Sequence, residues 1–134
     1  MQELEPLNLA GTFVALDAAA GARALPVTPV FWPALDAGAL GDVTRLVSSY
    51  AFEGHWATWE RHPAGEEIVL LVSGRAVLQL QEGAGPVRSV TLARAGDFVL
   101  VPPGVWHTAL IDEPTVMLFV TPGEGTENRP VDVG

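Results

Sequence analysis

The sequence predicts an all-β, antiparallel domain, and two observations carry this prediction. From Asp42 onward, short segments rich in β-branched and aromatic residues follow one another, separated by clusters of glycine, proline or aspartate. No helical period of 3.6 residues connects these segments. Short strands at this spacing are typical of an antiparallel sandwich or barrel.

The chain has the size of one domain. Its 134 residues can bury a core without disulfide or metal staples. Hydrophobic residues make up 49% of the chain and charged residues 17%, which argues against disorder. No linker, repeat or low-complexity tract divides it, so we expect a single domain over residues 1–134.

The N-terminal part is less regular than the rest. Residues 1–8 have the composition of a terminal tail, and residues 9–16 predict a first strand. The small residues at 18–24 allow a short helix, which the glycine among them weakens. Residues 27–32 are apolar with an internal proline, which predicts an edge strand or an extended arm that covers a partner subunit. Residues 33–41 predict a loop.

The remaining chain predicts strand after strand, followed by a tail. The strands are expected at residues 44–52, 57–62, 68–72, 76–81, 89–93, 97–101, 108–111 and 115–121. Residues 122–134 return to loop composition and predict a terminal tail.

Charge and composition exclude several classes of function. The net charge of -9 disfavours nucleic acid and anionic membranes, because both attract a positive surface. All seven basic residues are arginine, so a lysine Schiff base or lysine general base is excluded. The absence of cysteine excludes disulfides, thiolate zinc sites and cysteine nucleophiles. The apolar runs have strand length and the acidic N-terminus does not resemble a signal peptide, so we expect a cytoplasmic protein.

One stretch, residues 54–74, places potential metal ligands close together. Glu60 and His62 are two apart, so in an extended strand they point to the same face, about 6.6 Å apart. The turn that follows can return Glu67 to their side. This arrangement lacks a fourth ligand, which has to come from elsewhere in the chain.

A second stretch, residues 96–107, is a candidate for the missing group. A strand leads to the turn formed by Pro102, Pro103 and Gly104, and His107 opens the next strand. A rigid turn makes the approach of His107 reproducible, as a metal ligand requires.

Together the two stretches resemble the paired motifs of the cupins, G(X)5HxH(X)4E(X)6G and G(X)5PxG(X)2H(X)3N. The first motif is matched by Gly54, His62, Glu67 and Gly74, with Glu60 in the place of the first histidine. The second motif is matched by Gly96, Pro102, Gly104 and His107, with Ile111 where asparagine is usual. The resemblance covers residues 54–111 and implies a double-stranded β-helix, a jelly-roll barrel.

The resemblance also implies one divalent metal ion inside the barrel, held by Glu60, His62, Glu67 and His107. Manganese, iron, zinc and nickel remain open as its identity. Glu60 departs from the usual three histidines and one carboxylate, so the formal charge of the site becomes zero instead of +1. We therefore expect a less electrophilic metal and a weaker attraction for anionic substrates.

Glu60 has two alternative roles. His62, Glu67 and His107 alone form a two-histidine, one-carboxylate set, which is typical of non-haem iron oxygenases. Glu60 would then be catalytic, as a general base whose pKa burial raises. In a third interpretation, the chain is a cupin without metal, and Glu60 is a buried carboxylate hydrogen-bonded to a neighbour.

Strand parity predicts the walls of a substrate pocket. Trp56 and Thr58 share parity with Glu60, and Ala109 shares parity with His107. Further pocket candidates, on the opposite wall, are Met117 and Phe119. Such a pocket suits a small aromatic or apolar ligand with one or two oxygens. The alternative for these side chains is ordinary barrel core.

Three functions are consistent with these residues. The first is a small metal-dependent enzyme that acts on a small organic molecule, with oxygenase chemistry ahead of isomerisation or hydrolysis. The second is a non-catalytic module that senses a ligand or metal, and the third is a metal-free structural cupin. We expect a homodimer in which edge strands or residues 27–32 pack across the interface.

Overall fold

The computed structural model describes residues 4–132. It consists of eleven strands and one short helix. The strands are β1 (Thr12–Leu16), β2 (Ala22–Pro26), β3 (Arg45–Phe52), β4 (Thr58–Arg61), β5 (Glu67–Ser73), β6 (Ala76–Gln81), β7 (Arg88–Leu92), β8 (Phe98–Val101), β9 (Trp106–Leu110), β10 (Thr115–Pro122) and β11 (Glu127–Pro130). The helix, α1, spans Phe31–Asp36.

The strands form two antiparallel sheets that face each other. The six-stranded sheet has the order β2-β1-β3-β10-β5-β8, and the five-stranded sheet has the order β11-β4-β9-β6-β7. From β3 onward, apart from the β6–β7 hairpin, each connection crosses from one sheet to the other, as in a jelly roll. The predicted all-β antiparallel fold is confirmed.

Alternating side chains fill the space between the sheets. Along β5, Val69 and Leu71 point inward between partly exposed neighbours, and Leu78 does the same on β6. Met117 and Phe119 on β10 belong to the same buried cluster. This period of two is the pattern from which the sequence predicted strands, and every strand expected between residues 44 and 121 forms.

The predictions for residues 18–24 and 27–36 are wrong, whereas residues 37–41 form the predicted loop. Ala22–Pro26 is a strand that pairs with β1, not a helix. The Asp17 carboxylate accepts hydrogen bonds from the backbone N–H groups of Ala19 (3.0 Å) and Gly21 (2.8 Å), which tightens the hairpin turn.

Residues 31–36 form α1 instead of an extended arm or a loop. Phe31 is buried against Phe13, with ring centroids 5.4 Å apart, so this segment folds back onto its own barrel. Phe13, Phe31 and Leu46 form a second core cluster, and Tyr50 packs against both clusters. As a result, α1 and the loop after it cover one end of the barrel beside β3.

The prediction of a loop-like tail after residue 122 is also wrong. Glu127–Pro130 forms β11, an edge strand whose Asn128 is the register partner of Glu60 on β4. Arg129 lies over Trp106 at 4.5 Å from the ring centroid and donates a 2.8 Å hydrogen bond to Gln81. These contacts hold the segment after β10 against the five-stranded sheet. Among the residues described, no helix is long and apolar enough to cross a membrane.

Candidate metal centre

The two sheets bring the predicted ligands together from opposite sides. Glu60 on β4 and His107 on β9 are register partners, and His62 follows directly after β4. Glu67 opens β5 in the facing sheet and is 2% exposed. The four side chains that the sequence singled out therefore meet between the sheets.

Their donor atoms lie close together, with the shortest separations at Glu67 and longer ones at Glu60. Glu67 Oε1 lies 2.8 Å from His107 Nε2, and Glu67 Oε2 lies 3.2 Å from His62 Nε2. Glu60 Oε2 lies 3.9 Å from His62 Nε2, and the ligand atoms of Glu60, His62 and His107 all lie within 4.8 Å of one another. Donors bound to one ion at about 2.1 Å are themselves separated by roughly 3 Å.

The buried donor atoms have no hydrogen-bond partner outside their own cluster within the described chain. His62 Nε2, His107 Nε2 and Glu67 Oε1 are fully buried, and their close contacts are with one another and with the other carboxylate oxygens of the cluster. An unpaired buried polar atom costs about 1–3 kcal/mol. A divalent cation would satisfy all three, and two imidazoles with two carboxylates are a donor set that manganese, iron, nickel and zinc accept.

Neighbouring groups orient these ligands. His62 Nδ1 lies 2.9 Å from Thr126 Oγ1, and the Thr121 hydroxyl donates a 2.7 Å hydrogen bond to Glu67 Oε2. In the tautomer with its proton on Nδ1, His62 donates to Thr126 Oγ1 and presents the lone pair of Nε2 to the centre. His107 Nδ1 has a longer contact of 3.5 Å with the carbonyl of Val105.

The electrostatics of Glu67 favour its ionised form. Burial alone would raise the pKa of Glu67, but its contacts with His107 and His62 outweigh burial and lower that pKa to about 2. Glu67 is thus an anion at every physiological pH, which suits a permanent ligand.

Glu60 and His107 hold their protons more strongly than isolated residues do. Burial raises the pKa of Glu60, the charge of Glu67 adds to the rise, and the two histidines offset part of it. Burial lowers the pKa of His107, but the contact with Glu67 outweighs burial, so the net shift is upward. A cation that binds here has to displace those protons.

A cavity of about 1200 Å³ opens above the centre. Trp56, Thr58 and Phe119 line it, in agreement with their predicted parity. Ala109 and Met117 do not line it, because both are fully buried in the core between the sheets. They pack behind the wall instead of forming it.

His55 and Arg61 are close to the candidate ligands in the sequence, and the structure gives each a defined position. His55 lines the cavity, and its Nδ1 accepts a 2.8 Å hydrogen bond from the backbone N–H of Ile111. The Arg61 guanidinium points away from the cavity, lies over Trp106 at 4.6 Å and pairs with Glu127 at 2.8 Å.

Sequence reasoning missed several lining residues. Tyr50 and Phe52 on β3 contribute aromatic faces, and strand parity within 44–52 could have identified them. Thr121 shares parity with Phe119 and could have been found in the same way. Thr126 could not, since no periodic signal exists in the loop before β11.

Comparisons with known proteins agree with this architecture. The sequence model described as "Cupin domain" matches residues 50–121, which is more than half of the chain. No curated protein matches the chain.

Among solved structures, Bacillus subtilis oxalate decarboxylase is similar, with 24% identity and a TM-score of 0.53 over 66% of this chain and 24% of that chain. A double-stranded β-helix protein from Klebsiella pneumoniae is 26% identical, with a TM-score of 0.48 over 66% of this chain and 76% of that one. A cupin-2 domain protein from Shewanella frigidimarina is 23% identical, with a TM-score of 0.47 over 59% and 71%. The chain thus spans about a quarter of the length of the decarboxylase.

Proposed function

The chain belongs to the cupin family, and from this premise we propose that it is a metal-dependent enzyme acting on a small organic molecule in its cavity. One observation carries the proposal. Three fully buried donor atoms, on His62, Glu67 and His107, have no hydrogen-bond partner outside their own cluster, and His62 and Glu67 line a cavity large enough for such a molecule. Buried polar groups that converge beside a cleft without outside partners are characteristic of functional sites.

His62, Glu67 and His107 would hold the metal ion, with Glu60 as the fourth ligand. A divalent ion bound there would act as a Lewis acid toward a substrate oxygen. Thr121 and Thr126 keep the ligands oriented through their hydrogen bonds to Glu67 and His62. The aromatic wall of the cavity excludes water from the bound substrate.

Glu60 is the group best placed to move a proton. Its side chain is 36% exposed, and it lines the cavity, whereas Glu67 is nearly fully buried. Burial and the charge of Glu67 raise its pKa, which makes it a stronger base than an exposed carboxylate. If Glu60 serves as the base, the remaining two-histidine, one-carboxylate set is the one that non-haem iron oxygenases use, which places oxygenase chemistry ahead of isomerisation or hydrolysis.

Metal analysis tests the centre directly. We expect wild type to retain about one equivalent of manganese, iron, nickel or zinc after supplementation, and His62→Ala and His107→Ala to lose it. His55→Asn is the matched control, because His55 lines the same cavity outside the cluster. Less than about 0.1 equivalent in wild type, unchanged in the two alanine variants, would contradict the proposal.

Turnover separates an enzyme from a sensing module. Small aromatic and apolar oxygen-bearing compounds are incubated with the metal-loaded protein in air and under anoxia. Turnover only in air supports the oxygenase assignment, and turnover in both conditions supports isomerisation or hydrolysis. Binding without turnover of any compound favours the sensing module.

We also propose that the protein is a homodimer that pairs through β8, an edge strand of the six-stranded sheet. Phe98 and Leu100 on β8 are 57% and 51% exposed, whereas exposed edges normally carry charges that prevent pairing. With a net charge of -9, two copies avoid mutual repulsion best through such an uncharged edge. Light scattering should give twice the chain mass, and Phe98→Glu should give a monomer; a monomeric wild type rejects this interface.

A further inference from the structure

We infer that the cavity selects its ligand by charge, taking a cationic or uncharged small molecule with an apolar body and excluding anions. This inference rests on the proposed function for the location of the site. It deepens that function by naming the class of substrate.

The first observation is the sign of the charges around the cavity. The carboxylates that line it are Asp36, Asp42, Glu60, Glu67 and Glu124. No arginine lines it among the residues that the structure describes, and the chain has no lysine. A divalent ion neutralises the charges of Glu60 and Glu67 and leaves three carboxylates without a compensating charge on the cavity surface.

Those three carboxylates lie at the mouth. Asp36 ends α1, Asp42 lies in the loop after it, and Glu124 lies between β10 and β11. All three are exposed, so an incoming ligand meets them before it reaches the buried centre. Like-signed charges around an entrance lower the local concentration of anions and raise that of cations.

The arginines that could have offset this field are directed elsewhere. Arg61 and Arg129 stack on Trp106 on the outer face of the five-stranded sheet. Arg23 lies beside the mouth, and it donates hydrogen bonds to the carbonyls of Leu40 (2.8 Å) and Asp42 (2.9 Å). It holds the loop without lining the cavity. Sites for carboxylates or phosphates normally present arginine or lysine to the ligand, and this cavity presents neither.

The second, independent observation is the aromatic wall. Phe52 and Trp56 have ring centroids 5.4 Å apart, and Trp56 and Phe119 are separated by 5.7 Å. Tyr50 joins them at 6.1 Å from both Phe52 and Phe119. Aromatic rings bind apolar bodies, and their faces attract ammonium groups while they disfavour anions. The aromatic wall and the carboxylates at the mouth therefore both favour cationic ligands over anionic ones.

A matched series of probes tests the inference. Benzylamine, benzyl alcohol and benzoate share one ring and differ in charge, and their binding to metal-loaded and metal-free protein is measured by calorimetry at pH 7.5. We expect benzylamine to bind about five-fold more tightly than benzyl alcohol, and benzoate to bind about five-fold more weakly. In 0.5 M salt both differences should shrink, because screening weakens the field of exposed charges.

Variants at the mouth of the cavity distinguish an effect of charge on binding from an effect of altered structure. Asp36→Asn with Glu124→Gln should weaken benzylamine binding and strengthen benzoate binding about three-fold each, with benzyl alcohol unchanged. Glu82→Gln is the control, because it removes one negative charge from an exposed turn outside the cavity. It should leave all three affinities unchanged.

Metal content measured on the same samples distinguishes the failure of this inference from that of the proposed function. Benzoate binding as tightly as benzyl alcohol to metal-loaded protein overturns the charge selection and leaves the metal centre intact. The expected ranking in a protein that retains no metal supports the selection and removes the metal-dependent function. The inference is overturned if the affinities of all three probes change equally in the double variant, or if no probe binds.

Discussion

Thr126 Oγ1 lies 2.9 Å from Nδ1 of His62, so the loop after β10 reaches back to a residue of the candidate metal centre. Thr126 lies outside residues 50–121, which carry the match to the cupin domain. The strand after this loop, β11, is held beside β4 by its pairing with that strand. The geometry of His62 therefore depends on a segment that the paired motifs do not contain.

Replacement of Thr126 by valine should weaken metal binding about 10- to 100-fold, because the side chain keeps its shape but no longer accepts the Nδ1–H of His62. Thr126→Ser keeps the hydroxyl and should restore most of the affinity. Competition with a chelator measures the dissociation constant. Equal affinity in all three proteins would show that Thr126 does not orient the ligand.

Substitution of Glu60 distinguishes its two roles. If Glu60 is a ligand, Glu60→Gln should lower metal affinity about ten-fold. Glu60→His should recover the affinity and make the centre more positive by one charge. Elemental analysis after dialysis against a chelator gives the result. Unchanged metal retention in Glu60→Gln, combined with lost turnover, would instead assign Glu60 as the base.

Metal affinity should rise with pH above about 6.5, the ordinary pKa of histidine, by up to roughly ten-fold per pH unit for each proton released. The reason is that Glu60 and His107 have raised pKa values in the metal-free protein, so protons compete with the ion. Calorimetry in two buffers with different ionisation enthalpies counts the protons. An affinity independent of pH across this range would contradict the shifts.

The stability of the metal-free protein should be greatest between about pH 4.3 and 6.5, the ordinary pKa values of Glu and His. The lowered pKa of Glu67 stabilises the fold above pH 4.3, and this contribution is lost as the pH falls toward about 2. The raised pKa of His107 stabilises the fold below pH 6.5, and this contribution is lost as the pH rises through its folded value. The raised pKa of Glu60 stabilises the fold below pH 4.3. This contribution is lost as the pH rises through its folded value, so Glu60 also lowers the stability on the alkaline side.

Thermal unfolding from pH 3 to 9 measures this profile. Saturating metal should move the maximum to higher pH, because it binds the deprotonated ligands. A metal-free protein that is most stable above pH 8 would refute the assignment.

Gly74→Ala should destabilise the protein by more than about 3 kcal/mol. Gly74 has φ of 87°, and an added Cβ would lie 2.5 Å from the carbonyl oxygen of Pro114. Gly104 has φ of 74° in open space, so Gly104→Ala should cost only the backbone strain, about 1–2 kcal/mol. Urea unfolding compares the two, and equal losses would exclude the steric contribution at Gly74.

Local sequence patterns were sufficient to predict most strands of the barrel. Alternation along β5, β6 and β10 predicted which side chains point inward, because the period of two is a property of each strand alone. Among the mispredicted segments, α1 and β11 are short and lack a periodic signal of their own. Their structure depends on distant partners, namely Phe13 for α1 and the backbone of β4 for β11.

The sequence by itself determined the antiparallel all-β fold and the four residues of the candidate centre, because strand parity and motif spacing are local properties. Only the tertiary structure decided what surrounds them. The pairing of β11 with β4 brings Thr126 to His62, and the packing of α1 beside β3 places Asp36 at the mouth of the cavity. Contacts between residues far apart in the chain create these features, and no pattern within a single segment encodes them.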